Sequence, residues 1–228
     1  MSFHTAYRAK SSDFALSSTP VNQVHCGDAA EVLAGFNSGI ADLVITDPPY
    51  ICGYKDRHGR TVANDRNADR VMPVFGEVYR VLKPDSYCIS FYGWTAIAEF
   101  TAAWKDAGFR VVGQIVWPKQ YTSSTGFMQY QHEAAFVLAK GRPDRPNNPI
   151  PDVQPWHYTG NRHHPTEKSI DIIKPLIEAF SQRGDVILDP FLGSGTTALA
   201  AALSGRRYIG VELEQKHCAR ARQRLDAI

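Results

Sequence analysis

The chain has 228 residues, 43% of them hydrophobic and 21% charged, which is enough for one sizeable core and argues against wholesale disorder. Its 25 Lys and Arg stand against 23 Asp and Glu, a formal net charge of only +2. That excludes a global basic field, so a nucleic-acid partner would have to be held by local patches.

The opening twenty residues are polar and lack the apolar core of a signal peptide. They predict a mobile arm over residues 1–20, ahead of a single domain over 21–228. Val21–Cys26 reads as a strand and Ala29–Gly35 as a short helix. Ala41–Thr46 (ADLVIT) is a near-continuous apolar strand of the kind buried on both faces. Residues 51–70 are polar, punctuated by Gly53 and Gly59, and read as a loop. Val71–Leu82 has helical spacing and stops at Lys83–Pro84. Tyr87–Tyr92 is the next strand and Thr95–Ala107 a helix that Gly108 ends. Val111–Trp117 and Ala134–Lys140 form a last pair of strands around a loop rich in Tyr, Ser and Gly. Residues 141–163 hold several Pro, Arg and Asn and read as an irregular insertion. A helix over Ser169–Gln182 must accommodate Pro175 by a kink or a late start. Strand Asp185–Leu188, a glycine turn, helix Thr197–Leu203, strand Tyr208–Val211 and a helix to Leu225 complete the chain. Strands alternating with helices predict a largely parallel sheet covered by helices. No run is long enough to span a bilayer, and a soluble, cytoplasmic protein is expected. The four cysteines are scattered without metal-ligand spacing, so free or buried thiols and no metal are the expectation.

Two turns carry chemistry. In VILDPFLGSGTTALAAALSG, a strand meets a helix through Gly193 and Gly195, which let the backbone turn sharply and approach a ligand closely. The helix start offers unpaired N–H groups, and Thr196 or Thr197 can cap it. No Lys follows the glycines, so a triphosphate loop is excluded. Gly193-Ser-Gly195-Thr-Thr-Ala198, with Glu212 ending the next strand, also fits a dinucleotide fingerprint, and the turn alone separates neither cofactor. Its position does. Only one helix follows Glu212, whereas a dinucleotide fold continues with further units. The carboxylate of Asp189 also suits a cationic sulfonium better than a pyrophosphate. These points favour S-adenosylmethionine over NAD.

The second turn is Asp47-Pro48-Pro49-Tyr50, at the carboxyl end of the ADLVIT strand, where open α/β sheets bind ligands. Two prolines make it rigid and remove two N–H donors. An exocyclic aromatic amine is a poor nucleophile because its lone pair is conjugated into the ring. The Asp47 carboxylate and Pro48 carbonyl can accept its two hydrogens and free that lone pair. Tyr50 can stack on a base flipped from the duplex. A packed polyproline turn is the competing reading of these four residues alone.

Taken together and in this order, the two blocks resemble the permuted, beta-class family of DNA amino-methyltransferases. His164-Pro165-Thr166-Glu167-Lys168, the Arg80–Pro84 helix end and Gly27-Asp28 are similar as well, so the likeness runs from about Val21 to the C-terminus. The resemblance implies a Rossmann-like class I methyltransferase fold. That fold is a mostly parallel seven-stranded sheet with helices on both faces, in circularly permuted motif order. It implies S-adenosylmethionine as cofactor and double-stranded DNA as partner. It makes Asp47, Pro48, Pro49 and Tyr50 the catalytic turn. Asp189, Phe191, Gly193, Ser194, Gly195 and Thr196 would cradle the methionine part of the cofactor, and Glu212 its ribose. Lys168 would reach the cofactor carboxylate and Asp28 its adenine, although Asp28-Ala-Ala-Glu31 also makes a capping box. Because the turn begins with Asp, the implied target is adenine N6, with cytosine N4 as the alternative. RNA or protein-amide methylation and a non-catalytic relic stand further off. His163 and His164 are expected on the surface or in support of neighbouring side chains, not as ligands or proton-transfer groups.

Ser169 stands where the family often has Pro, and Asp85-Ser86 where glycines are common. Residues 141–163 are a short stretch for a recognition region. They would share that work with 51–70, the 118–131 loop, or a second subunit in a homodimer. Basic clusters that could meet phosphates are Lys55, Arg57, Arg60, Arg66 and Arg70, and Lys140, Arg142, Arg145 and Arg162. Arg206, Arg207, Lys216, Arg220, Arg222 and Arg224 read as a solvated face.

Overall fold

A computed structural model describes residues 20–55, 59, 61–156 and 168–228. Residues 1–19, and with them nearly all of the expected arm, lie outside the described residues, as do Arg57, Arg60, Arg162, His163, His164 and residues 165–167.

In chain order the elements are β1 (Gln23–Cys26), α1 (Ala29–Ala34), β2 (Ala41–Thr46), α2 (Ala68–Val71), α3 (Val74–Val81) and β3 (Leu82–Phe91). There follow α4 (Ile97–Ala107), β4 (Arg110–Pro118), β5 (Ser124–Thr125), β6 (Gln129–Tyr130), β7 (His132–Lys140) and α5 (Ile170–Phe180). The chain closes with β8 (Val186–Asp189), α6 (Thr196–Leu203), β9 (Arg207–Glu212) and α7 (Gln215–Leu225). Seven strands form one sheet in the order β1-β9-β8-β2-β3-β7-β4, and β5 pairs with β6 apart from it. Within the large sheet β7 runs antiparallel to both of its neighbours, and the other pairings are parallel.

The strand alternation sorts the core onto two faces. Val44, Cys88 and Leu188 face a cluster with Leu33, Phe75, Val78, Phe100 and Trp104, contributed by α1, α3 and α4. Leu43, Ile45, Ile89 and Ile187 face a second cluster with Ile173, Leu176, Ile177 and Ala200, contributed by α5 and α6. Strands buried on both sides explain the unbroken apolar run of ADLVIT.

Several boundaries moved for identifiable reasons. The expected helix Val71–Leu82 is split at Pro73, which cannot donate inside a helix and instead precedes α3 with φ −62°. Leu82 already pairs with Ala41, so β3 starts directly after α3. Strand β1 starts at Gln23, because Asn22 has φ 60° and uses its side-chain oxygen to accept from the Tyr208 N–H. Pro175 is tolerated inside α5, whose start is capped by Ser169. The start of α6 is capped by neither Thr196 nor Thr197. Gly195 holds that position with φ 93°, and a Cβ there would come within 2.8 Å of the Ala221 Cβ on α7. Cys26 and Cys218 correct the expectation of free thiols: the fold brings them into disulfide contact, with Cα atoms 6.0 Å apart. They are 192 residues apart in sequence, so no spacing rule could pair them.

Candidate active site

The sheet order places the two signature turns together. From β2 the chain moves outward to β3, and from β8 it moves the other way to β9. Between β2 and β8, which pair in parallel through Leu43 with Ile187 and Val44 with Leu188, lies the topological switch point. Ligands of open α/β sheets bind at the carboxyl ends of such strands. Asp47 follows β2 there, and Asp189 ends β8.

Two cavities meet at this edge. The larger, about 870 Å³ with open solvent at its mouth included, is walled by Asp28, Asp47, Pro48, Pro49, Tyr50 and Glu212, with residues 62–65 across from them. The smaller, about 430 Å³, is walled by Asp47, Lys168, Asp189, Ser194, Thr196 and Thr197. Asp47, Phe191 and Gly193 line both. Of the predicted site residues, all but Gly195 line one cavity or the other. Gly195 instead permits the close approach of α7.

Asp47 is held on both oxygens. Tyr50 donates its hydroxyl to Oδ1 at 2.8 Å, and Lys168 donates Nζ to Oδ2 at 2.7 Å. Burial pushes the Asp47 carboxyl above its ordinary value, and Lys168 works against that rise. Burial pulls the Lys168 ammonium down, but Asp47 and Glu133 more than offset it, so Lys168 keeps its charge. Beyond Tyr50 lies Glu133 on β7, whose Oε2 accepts the same hydroxyl at 3.2 Å and whose Oε1 takes Lys119 Nζ at 2.5 Å. Burial works to raise the Glu133 carboxyl, but Lys168 and Lys119 hold it below the usual range. Burial, Asp47 and Glu133 push the Tyr50 phenol well up, which keeps it a neutral donor. Neither Glu133 nor Lys119 carries any local sequence signal. They sit on β7 and just after β4, and only the sheet brings them to Tyr50.

Each cavity carries a further acid beside Asp47, Asp189 in the smaller and Glu212 in the larger. Asp189 is 4% exposed, accepts from the Phe191 N–H at 3.0 Å, and is pushed up to about 7 by burial, against hydrogen bonds from Thr197 and Phe191. Among the described residues no ion pair reaches it. Glu212 accepts from the Gly193 and Glu214 N–H groups at 2.8 and 2.7 Å and is likewise raised by burial. When ionised, the buried Asp189 and half-buried Glu212 suit a cationic ligand and would repel a pyrophosphate. S-Adenosylmethionine, with a sulfonium and an ammonium, fits this donor set. Asp28 is an N-cap, accepting from Ala30 and Glu31 N–H groups at 3.0 and 3.4 Å, and it also lines the larger cavity. Both expectations for Asp28 are therefore compatible. Lys168 lies in the smaller cavity as expected for a cofactor contact, and its ion pair with Asp47 was not foreseen.

Sequence reading also missed Asp65 and Arg224. Asp65, 5% exposed, accepts from the Ile51 N–H at 2.8 Å, the Tyr54 N–H at 2.5 Å and the Cys52 thiol at 3.5 Å. It thereby binds the loop to the end of the Asp47–Tyr50 turn. Arg224 donates to the Ser194 carbonyl at 2.9 Å and to the Thr196 hydroxyl at 3.2 Å, bracing the glycine turn from α7. Arg222, although exposed, holds the Val24 carbonyl, and the half-buried Arg206 holds the Ser181 carbonyl, so these members of the solvated C-terminal cluster also brace neighbouring backbone. Lys140 bonds the Tyr79 and Leu82 carbonyls at the end of α3, which corrects its nomination as a phosphate contact.

Comparisons with known proteins agree with this geometry. The N6/N4 methyltransferase family model, described as DNA methylase, matches residues 41–223. YubD of Escherichia coli (strain K12), described as a candidate methylase, is 50% identical over 202 residues, 89% of each chain. The DNA adenine methyltransferase YhdJ of the same strain is 27% identical, over 88% of this chain and 81% of its own. Among solved structures, TTHA0409 of Thermus thermophilus, a candidate DNA modification methylase complexed with S-adenosyl-L-methionine, is 26% identical. It superposes with a TM-score of 0.69, over 91% of this chain and 95% of that one. The chain therefore belongs to the N6/N4 DNA methylase family.

Proposed function

We propose that this chain transfers a methyl group from S-adenosylmethionine to the N6 amino group of adenine in duplex DNA, by direct attack from a flipped-out base. The observation that carries this reading is the position of Asp47, on the wall shared by the two cavities. One ligand in the smaller cavity and one in the larger would both meet that carboxylate.

Bound S-adenosylmethionine supplies an electrophilic methyl on a sulfonium. Asp189, Ser194 and Thr196 would hold its methionine part, and Glu212 and Asp28 its nucleoside part. Asp47 and the Pro48 carbonyl would accept the two amine hydrogens, freeing the nitrogen lone pair for attack; as the N–C bond forms the sulfonium S–C bond breaks, S-adenosylhomocysteine leaves as a neutral thioether, and the surplus amine proton passes through Asp47 to water. An incoming amine needs an Asp47 oxygen that Tyr50 occupies. Glu133 is already within 3.2 Å of the Tyr50 hydroxyl, so that hydroxyl retains an acceptor when it gives up Asp47. Tyr50 is then free to stack on the base. Lys168 opposes the rise that burial imposes on the Asp47 carboxyl and so favours the ionised form, the one that accepts. Adenine is preferred because the turn begins with Asp, and because the relative YhdJ is named an adenine methyltransferase.

Purified protein is expected to transfer labelled methyl from S-adenosylmethionine to unmethylated DNA and to yield N6-methyladenine on nucleoside analysis. N4-methylcytosine alone would reject the base assignment. Asp47→Ala should abolish turnover with most cofactor binding intact; retained turnover would reject the role of the turn.

A further inference from the structure

We infer that the hairpin following β4 enters duplex DNA beside the target base, with Phe127 and Met128 filling the gap the extruded base leaves in the stack. The inference rests on the DNA-methylating function proposed above. Extruding a base costs a few kcal/mol of stacking and pairing, and apolar side chains inserted between base steps can offset that cost.

The hairpin rises from the β4 edge of the sheet. Strand β4 is antiparallel to β7, and β7 is antiparallel to β3, so β4 runs with β3 and ends on the side where Asp47 and Asp189 lie. Lys119 N–H bonds the Gln131 carbonyl at 2.7 Å, Ser123 N–H bonds that of Tyr130 at 2.9 Å, and Gly126 N–H bonds that of Met128 at 3.0 Å, closing the tip. A two-stranded ribbon alone would be marginal. This one is fixed to the catalytic turn by two routes. Lys119 at its base pairs with Glu133, which reaches the Tyr50 hydroxyl. Tyr130 stacks on Trp94, centroids 5.1 Å apart at 21°. Trp94 follows Gly93, where any side chain would collide with the Tyr50 backbone.

At the tip Phe127 is fully exposed (103%) and Met128 largely so (65%). The Phe127 ring is not covered by the body of the protein, yet the ribbon that carries it is anchored. From Gln131 to Phe127 an extended strand reaches about 13 Å, beyond the ~8 Å depth of either DNA groove. The flanking chemistry favours a polyanion over another protein. From Lys119 to His132 there is no Asp or Glu, while Thr122, Ser123, Ser124, Thr125, Gln129 and Gln131 offer hydroxyls and amides for phosphates and base edges.

The test compares Phe127→Ala/Met128→Ala with wild type on two duplexes, once methylated positions have been mapped by sequencing. In one the target base is paired; in the other an abasic site stands opposite it, so extrusion is already cheap. The double variant should lose roughly tenfold or more in kcat/KM on the paired duplex and stay within about threefold of wild type on the other. Equal losses on both duplexes, or no loss on either, would overturn the inference alone. So would a shift from dimer to monomer in sedimentation, which would make the tip a contact between copies of this chain. Wild-type protein inactive on both duplexes would instead overturn the DNA-methylating reading, and this inference with it.

Discussion

At the residue scale, the site is governed by how buried charges are paired. Lys168 and Asp47 form an ion pair with side chains only 8% and 20% exposed. Removing one partner of such a pair costs about 3–5 kcal/mol, because the other charge is left uncompensated. In Lys168→Met, Asp47 would lose the cation that counters its burial, and its carboxyl would rise further. Proton binding to Asp47 removes an amine acceptor, so the acidic limb of the kcat profile should move to higher pH. A profile scaled down uniformly, with its limb unmoved, would contradict this account. Asp189 lacks such a cation, and its carboxyl is pushed up to about 7 against 3.8 when unfolded. A group raised in the folded state binds its proton more tightly there, so stability is lost as pH rises from 3.8 towards 7. Above that the ionised Asp189 costs on the order of 4 kcal/mol. Asp189→Asn should therefore raise Tm at pH 8 while weakening cofactor binding. The wild-type Kd for S-adenosylmethionine should rise about tenfold between pH 8 and pH 6, as the carboxylate is neutralised. Calorimetry of both proteins across that range checks both statements. Asp47, Pro48 and Tyr50 were legible in the sequence because a turn is contiguous. The ion pair of Lys168 with Asp47 left no local trace in the sequence, since the two lie 121 residues apart. Glu133 was invisible, one more acid in a strand until β3 and β7 pair.

At the scale of elements, a strained backbone follows the Asp47–Tyr50 turn. Ile51, a β-branched residue, holds φ 58°, a conformation costing of order 1–3 kcal/mol unless its surroundings impose it. Asp65 imposes it through the Ile51 and Tyr54 N–H groups. Asp65→Ala should loosen residues 51–54, speed hydrogen exchange at the Ile51 amide and lower kcat about tenfold. Ile51→Gly added to it should restore much of the rate, because glycine takes positive φ without strain. A double variant no better than Asp65→Ala would reject the clamp. The polarity of residues 51–70 marks an irregular stretch, although α2 begins within it at Ala68; a carboxylate fourteen residues along that returns to cap Ile51 is a matter of tertiary closure. Pro73 was a missed local signal. A proline inside the stretch read as one helix should have divided it. The direct passage from α3 into β3 has no such signal, since Leu82 suits either element and the sheet decides.

For the whole molecule, periodicity and motif order were sufficient to place seven strands and a parallel sheet, because burial on both faces writes itself into runs such as ADLVIT. The single antiparallel strand and the strand order come from nonlocal pairing. They matter most for function, since they set the Asp47 and Asp189 turns on neighbouring strands. The contact of Cys26 with Cys218 and the bracing arginines of α7 arise the same way, from the last helix returning to the first strand. Among the described residues no helix is long and apolar enough to cross a membrane.

A crystal structure of the protein soaked with S-adenosylmethionine tests the central claim most directly. The account predicts the methionine ammonium near Asp189, the ribose at Glu212, and the sulfonium methyl turned towards Asp47 and the Pro48 carbonyl. A cofactor seated outside the two joined cavities, or a methyl directed away from Asp47 with no room for a base between them, would contradict it.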